Sequence, residues 1–451
     1  MNRVNTYSEL VSSRFCAQYN PMKKLLTLLL STALISCAPH SDETDVSSSD
    51  ISKLEVLAAP DFNVEAMNTL LSSAVNSGEV LAVSSLVFDE GQVVYEGAFG
   101  LGDRERNVAL TKDSVFRIYS MTKPITSAVI MDLVEEGKIN LNDPVSKYIP
   151  QLASMKVASL GADGQPVFED QVKEMTVEDL LLHRAGMGYG IFGEINAVET
   201  AYTKAGLFEP SEGLSVKMDK LGQLPLLTQP GTGWYYSYSI DVLGRIIEVV
   251  TEQRLGEALK ERVFDPLGMS ETAFSVRADQ ASRFVSNYLI QEDGSFIVIE
   301  DGQNSPFLKD NAFQSGGGGL VSTLGDYAKF AEMILNEGSY NGARVLEAET
   351  VKTMLSDQMD ADDVFMMPWL GDATGAGFGY GGSVQTSVTP ELVAEKGRHV
   401  GQWGWSGAAR TKFHVDPENN SFAIIMLQFF GGEDPELHDR WQALTLEETK
   451  N

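Results

Sequence analysis

Cysteine is scarce in this sequence. Cys16 and Cys37 are the only two in 451 residues. Both precede the stretch with folded character, so no disulfide framework holds the fold. Histidine is nearly as rare: His40, His183, His399, His414 and His438. No two stand at a helical ligand spacing, and there is no HExxH or CxxC. A metal site built by the protein is therefore not expected, and no cofactor is expected either. Basic residues are outnumbered, with 34 Lys and Arg against 63 Asp and Glu, for a net charge of −29. The acidic residues occur all along the chain, so they form a solvated surface that would repel the phosphates of a nucleic acid. No apolar run reaches the about 20 residues that span a bilayer.

What is present suits a soluble enzyme-sized domain: 43% apolar residues, 22% charged residues and length enough for a sizeable core. Near the start, Met22-Lys23-Lys24 is followed by the short apolar run Leu25 to Ile35 and then Ser36-Cys37, which reads as a secretory signal. LISC, Leu34 to Cys37, is similar to a bacterial lipoprotein signal, which makes Cys37 an acylated anchor. Residues 1–21 carry no signal character, so Met22 competes with Met1 as the start. The division expected is an extension and lipoprotein signal over 1–36, a flexible polar tether over 37–60, and one domain over 61–445. Ala38 follows the cysteine where an aspartate would argue otherwise. The expected place is therefore the outer membrane, facing the periplasm, with the membrane reached through the Cys37 lipid.

Within the domain, VNSGEVLAVSSLVFDEGQVVYEGAFG, Val75 to Gly100, has two β-like runs around Asp89-Glu90-Gly91 and reads as a hairpin. Met121–Glu136 is apolar almost all round, which predicts a buried helix, with Gly137 as its C-cap. The interval of about 125–310 is richer in helices, loops and prolines. TKFHVDP (Thr411 to Pro417) and SFAIIMLQFF (Ser421 to Phe430) return to strands. Strands at both ends with helices between predict one discontinuous α/β (α+β) domain carrying a mainly helical insert.

At the head of the buried helix stands Ser120-Met121-Thr122-Lys123. Lys123 lies one turn beyond Ser120 on the same face. Helix N-terminal N–H groups favour a developing negative charge there. A buried lysine without a carboxylate partner can serve as a base, and a serine hydroxyl needs one to become a nucleophile. The same four residues also fit a serine cap with a lysine that reaches out to water, and the stretch alone leaves both readings standing.

IYSMTKPITSAVIMDLVEEGKINLNDPVSKYIP resembles the first motif region of the serine β-lactamase and penicillin-binding protein superfamily, and most of all the class C-like esterases, the family VIII carboxylesterases. In the same order, MTVEDLLLHRAGM, PGTGWYYSYSIDVLGRIIEVVT, FDPLGMSET, GGGGLVSTLGDYAKF and GWSGAARTKFHVDP resemble further family stretches. The resemblance runs roughly from Val80 to Phe430. It implies a β-lactamase/transpeptidase-like sandwich, an antiparallel sheet flanked by helices. It implies Ser120 as nucleophile, Lys123 as base and Tyr236, from Tyr236-Ser237-Tyr238, as a partner in proton transfer. Tyr238 stands where class C β-lactamases have an asparagine that contacts substrate, which weakens the β-lactamase reading and fits an esterase. Trp405-Ser406-Gly407 aligns with the third motif, and the N–H of Ala408 would pair with that of Ser120 as an oxyanion hole.

Arg410 stands where the esterases usually have glycine; shaping the acyl pocket, binding a carboxylate and pointing to solvent all stay open. Three other stretches imitate motifs. His399-Val400-Gly401 resembles an alternative third motif, Ser339-Tyr340-Asn341 a second motif within a turn, and Gly316–Gly319 lacks the Lys-Ser/Thr of a phosphate loop, which makes it at most a backbone loop near the site. His183 and Tyr235 read as structural residues. The resemblance implies a serine hydrolase forming an acyl-enzyme on a small ester or amide. A carboxylesterase on short-acyl esters with weak β-lactam hydrolysis leads. A D-alanyl or D-amino-acid peptidase, or an acyltransferase, is the alternative. Outside catalysis, the competing readings are an inactive envelope binding protein of this fold and a purely structural lipoprotein.

Overall fold

The computed structural model describes residues 62–160, 166–192, 196–360, 375–432 and 434–445. The expected signal, Cys37 and the tether lie outside the described residues. The hairpin read from the sequence is present as β1 (Ala82–Asp89) and β2 (Gln92–Asp103). Its two turn residues, Glu90 and Gly91, have φ of 45° and 88°, the left-handed geometry that a two-residue turn needs to match the twist of its strands. A short β3 (Val108–Ala109) follows. The C-terminal part supplies β4 (Ala376–Phe378), β5 (Ser383–Gln385), β6 (Trp403–Ser406), β7 (Lys412–Asp416) and β8 (Ser421–Met426). The sheet order is β4-β5-β6-β7-β8-β1-β2-β3, antiparallel throughout. The two ends of the chain meet at the β1–β8 seam, where Leu86 pairs with Ile424 and Phe88 with Phe422.

Strand periodicity assigns the two faces. Leu86, Phe88, Phe422, Ile424 and Met426 join the larger core, and Val83, Val87, Ala423 and Ile425 join a second. Both faces are covered, which explains why all of Ser421–Met426 is buried. Five helices matter here: α1 (Val64–Asn76), α2 (Thr122–Glu135), α3 (Ser239–Thr251), α4 (Leu324–Leu335) and α5 (Leu437–Leu444). Helices α1 and α5 cover the second core through Met67, Leu71, Leu437 and Trp441. Helices α2, α3 and α4 pack in the larger core. Helix α2 is buried from Thr122 through Met131, as its all-round apolar sequence predicts. It ends at Glu136, with Gly137 at φ 70° providing the left-handed exit.

The interval of about 125–310 holds α3 and several shorter helices. It also holds two hairpins, Val157–Leu160 with Pro166–Glu169 and Asn287–Ile290 with Phe296–Glu300. Among the described residues no helix is long and apolar enough to cross a membrane.

Candidate active site

The strand Val115–Arg117 pairs with Val321–Thr323 and delivers the chain to a 3₁₀ turn, Tyr119–Met121, that runs into α2. Tyr119 has φ of 44°, a conformation costing a bulky residue about 1–3 kcal/mol. Its hydroxyl accepts from Asn287 Nδ2 at 2.9 Å, and its ring meets Phe430 edge-on at 5.4 Å. Ser120, next in line, is half-buried and so reachable, whereas Lys123 is 1% exposed. The cap-and-snorkel reading therefore fails on one side: Lys123 points inward, and no side-chain cap bond begins α2.

Lys123 Nζ lies 3.3 Å from Ser120 Oγ, 2.9 Å from the Tyr189 hydroxyl and 2.6 Å from the Gly317 carbonyl oxygen. Three acceptors match the three protons of an ammonium. An uncharged amine could keep the last two bonds and turn its lone pair to Ser120. No carboxylate bonds Nζ among the described residues. The rings of Tyr236 and Tyr189 stand with centroids 4.6 and 5.1 Å from Nζ, close enough for their faces to stabilise a cation. Burial, then the nearby Tyr236, holds the Tyr189 phenol well above the ordinary tyrosine range. Tyr189 is thus a neutral hydroxyl partner at working pH.

Tyr236 is 5% exposed, and its hydroxyl accepts from Trp405 Nε1 at 3.3 Å. It is clamped between Trp234, stacked at 6.0 Å, and the His183 ring at 4.7 Å. His183 Nδ1 accepts from the Ser237 N–H at 3.2 Å. Burial, then the charge of Lys123, pushes its pKa well below the ordinary histidine value. The imidazole is neutral, has φ of 53° and makes no hydrogen bond through Nε2 among the described residues. Its contribution is to fix Ser237 and the face of Tyr236. Tyr235 hydrogen-bonds the Glu199 carboxyl. Tyr238 is fully buried, with its hydroxyl on the Leu207 carbonyl oxygen at 3.1 Å.

The third-motif stretch occupies β6 and its turn. Trp405 is buried, Ser406 half-buried and Ala408 exposed. A Cβ at Gly407 would stand 2.2 Å from Thr411 Oγ1 and 2.4 Å from Ile118 O. Only glycine lets β6 pass this close to the Ser120 turn. Neither Ser120 N–H nor Ala408 N–H bonds another main-chain group outside its own element among the described residues.

Arg410 binds a carboxylate, and it is one of the chain's own. Its guanidinium pairs with Asp434 and donates to the carbonyl oxygens of Gly431 and Gly432 at 3.0 and 3.1 Å. Its φ is 70°. A glycine would enter that conformation freely, whereas the arginine gives up that freedom and gains a tie to the 431–434 strap. His399 sits on Asp416 and Asn419 instead of extending β6. Ser339–Tyr340 forms a small hairpin with Ala343–Arg344.

Three contributors escaped the sequence reading: Tyr189, Asp241 and Glu199. The Gly316–Gly319 loop binds no phosphate-loop lysine but is tied to α2, because Thr126 Oγ1 donates to Gly316 O at 2.8 Å. Glu199 accepts from the N–H groups of Tyr189 and Gly190 at 3.0 and 2.7 Å, which sets the Tyr189 side chain over Lys123.

An antiparallel sheet flanked by helices, with a serine and a buried lysine at the head of the central helix, defines the β-lactamase/transpeptidase-like serine hydrolases. The chain matches the Beta-lactamase family over residues 67–447 and belongs to it. It is 31% identical to protein Rv1367c of Mycobacterium tuberculosis over 369 residues, 81% of this chain and 90% of that one. It is 26% identical to Esterase EstB of Burkholderia gladioli over 371 residues, 78% of this chain and 86% of that one. Among solved structures, EstCE1, described as a hydrolase with promiscuous acyltransferase activity, superposes with a TM-score of 0.69 at 23% identity. The match covers 85% of this chain and 98% of EstCE1.

Proposed function

We propose that the protein is a carboxylesterase acting on small short-acyl esters through an acyl-enzyme on Ser120. The observation that carries this is the buried Lys123 amine 3.3 Å from Ser120 Oγ. Ser120 Oγ attacks the acyl carbon and its proton passes to the lone pair of Lys123. The carbonyl oxygen becomes an oxyanion facing the N–H groups of Ser120 and Ala408. Collapse breaks the bond to the leaving oxygen, which takes a proton delivered through Lys123 and Tyr236. Water then repeats the cycle on the acyl-enzyme and releases the acid. Similarity to Esterase EstB supports ester over amide as substrate. Weak β-lactam hydrolysis fits the same steps. Trp405, Ser406, Gly407 and Tyr238 are proposed to shape the substrate side. A lipid on Cys37, in the outer membrane facing the periplasm, is the proposed anchor.

The test is hydrolysis of p-nitrophenyl butyrate by the full chain beside Ser120→Ala, with fluorophosphonate labelling. Turnover and labelling in the wild type alone support the reading. Equal activity in both proteins removes Ser120 as nucleophile. Labelling without ester turnover, joined by release of D-alanine from a D-alanyl peptide, moves the function to the peptidase alternative.

A further inference from the structure

We propose that Asp241, in the first turn of α3, is a positioning residue that acts on Lys123 through Gly317 and supplies the buried negative charge that sets the pH at which Lys123 works. The inference rests on the hydrolase reading above. Asp241 is 1% exposed. Its Oδ1 accepts from Ser315 Oγ at 2.5 Å and from the Gly317 N–H at 3.3 Å. Gly317 in turn presents its carbonyl oxygen to Lys123 Nζ at 2.6 Å. One residue, Gly317, therefore separates the carboxylate from the amine. Among the described residues Oδ2 has no hydrogen-bond partner, and it faces the Gly317 α-carbon so closely that a Cβ there would stand 2.5 Å from it. Burial raises the Asp241 pKa above the ordinary carboxyl value, and the Ser315 and Gly317 donors on Oδ1, with the charge of Lys123, pull it back toward the ionised form. Asp241 also holds the main chain at Gly317, whose carbonyl oxygen faces Nζ.

Other titratable groups face Lys123. His183 and Tyr189 come from the loop before Glu199 and Tyr236 from the approach to α3; Tyr238 lies toward Asp241, and Glu199 lies behind Tyr189, bonded to its N–H. The imidazole and the Tyr189 and Tyr238 phenols are uncharged at neutral pH, their burial disfavouring the charged forms. The Gly316–Gly319 loop itself brings none. A carboxylate one residue away attracts positive charge at Nζ. Losing its charge lowers the pH at which the free amine is available.

The experiment is the pH dependence of kcat/KM on p-nitrophenyl butyrate for wild type and Asp241→Asn, which keeps an acceptor for Ser315 and Gly317 and removes the charge. The ascending limb is expected to move about 1 unit toward lower pH. A structural role would lower the whole curve without moving the limb. A superimposable limb in a folded variant overturns the proposal. If Asp241→Asn does not fold, Ser315→Ala, which strips one donor from Oδ1, should shift the limb the same way by less, and no shift there overturns it equally. A wild type without esterase activity instead refutes the function, which the same data set shows separately.

Discussion

Replacing Gly407 by alanine tests whether β6 and the Ser120 turn form one rigid wall. The added Cβ would stand 2.4 Å from Ile118 O, a backbone atom, and 2.2 Å from the hydroxyl of the fully buried Thr411. Ile118 O also accepts from Met121 N–H at 3.0 Å and from Thr411 Oγ1 at 3.3 Å. It cannot retreat without taking the Ser120 turn along. Reaching the 3.4 Å of ordinary contact requires a shift of about 1 Å. Overpacking of this kind costs roughly 1–3 kcal/mol. A misplacement of about 1 Å at a reacting centre costs about 10²-fold in rate.

The assay is kcat/KM with p-nitrophenyl butyrate together with thermal unfolding. Gly325→Ala is the control. That glycine is exposed in the first turn of α4, and a Cβ there meets nothing within 4 Å. It should stabilise by about 0.5–1 kcal/mol and leave activity alone. A Gly407→Ala protein with wild-type activity and an unchanged melting temperature would refute the reasoning.

Two further outcomes follow from single contacts. Tyr189→Phe deletes the 2.9 Å bond to Lys123 and keeps the ring; at about 1.5–3 kcal/mol for a bond to a charged group, kcat/KM should fall roughly 10- to 100-fold with little change in melting temperature. His438, buried against the Arg410 carbonyl oxygen, has its pKa pushed down to about 3, chiefly by burial. Its folded value lies below the unfolded one, so the folded state binds fewer protons, and stability is lost as pH falls from about 6.5 toward 3. Buried carboxyls with raised pKa values, Glu199 and Asp241, act in the opposite sense. The comparison must therefore be His438→Gln against wild type in urea unfolding at pH 7.5 and 5, where the variant should lose less stability on acidification.

The parts legible in the sequence are those whose partners are near in the chain. Ser120 and Lys123 are one helical turn apart, and the β1–β2 turn is two residues long. Lys123 finds Tyr189 and Gly317 across separations of 66 and 194 residues, and no local period encodes such a meeting. Asp241 and Glu199 were hidden for another reason. Each stands in the first turn of a helix, where an acidic residue is explained by the helix dipole alone. What distinguishes them is burial, which the sequence shows only indirectly, as a carboxylate set among Ile240, Val242 and Leu243. The small hairpins of the 125–310 interval went unread because strands of four or five residues carry too little alternation. Arg410 left several readings open because its carboxylate partner, Asp434, lies 24 residues further on.

The strained residues show how the site stays in place. Tyr119, His183 and Arg410 all hold positive φ, at 44°, 53° and 70°. They precede Ser120, brace Tyr236 and close the β6–β7 turn, respectively. Relaxation of any one would move the group beside it, and each conformation costs about 1–3 kcal/mol. Each is also tied by its side chain to a separate part of the chain: Tyr119 to Asn287, His183 to Ser237, and Arg410 to Asp434. These ties converge from the mid-chain hairpin, the approach to α3 and the strap before α5. The nucleophile turn, the Tyr236 support and the β6 edge are therefore each anchored from outside, and they also lean on one another: Trp405 Nε1 donates to the Tyr236 hydroxyl, and Thr411 Oγ1 donates to Ile118 O. Damage to one tie should accordingly reach the neighbouring component through these contacts while the fold stands.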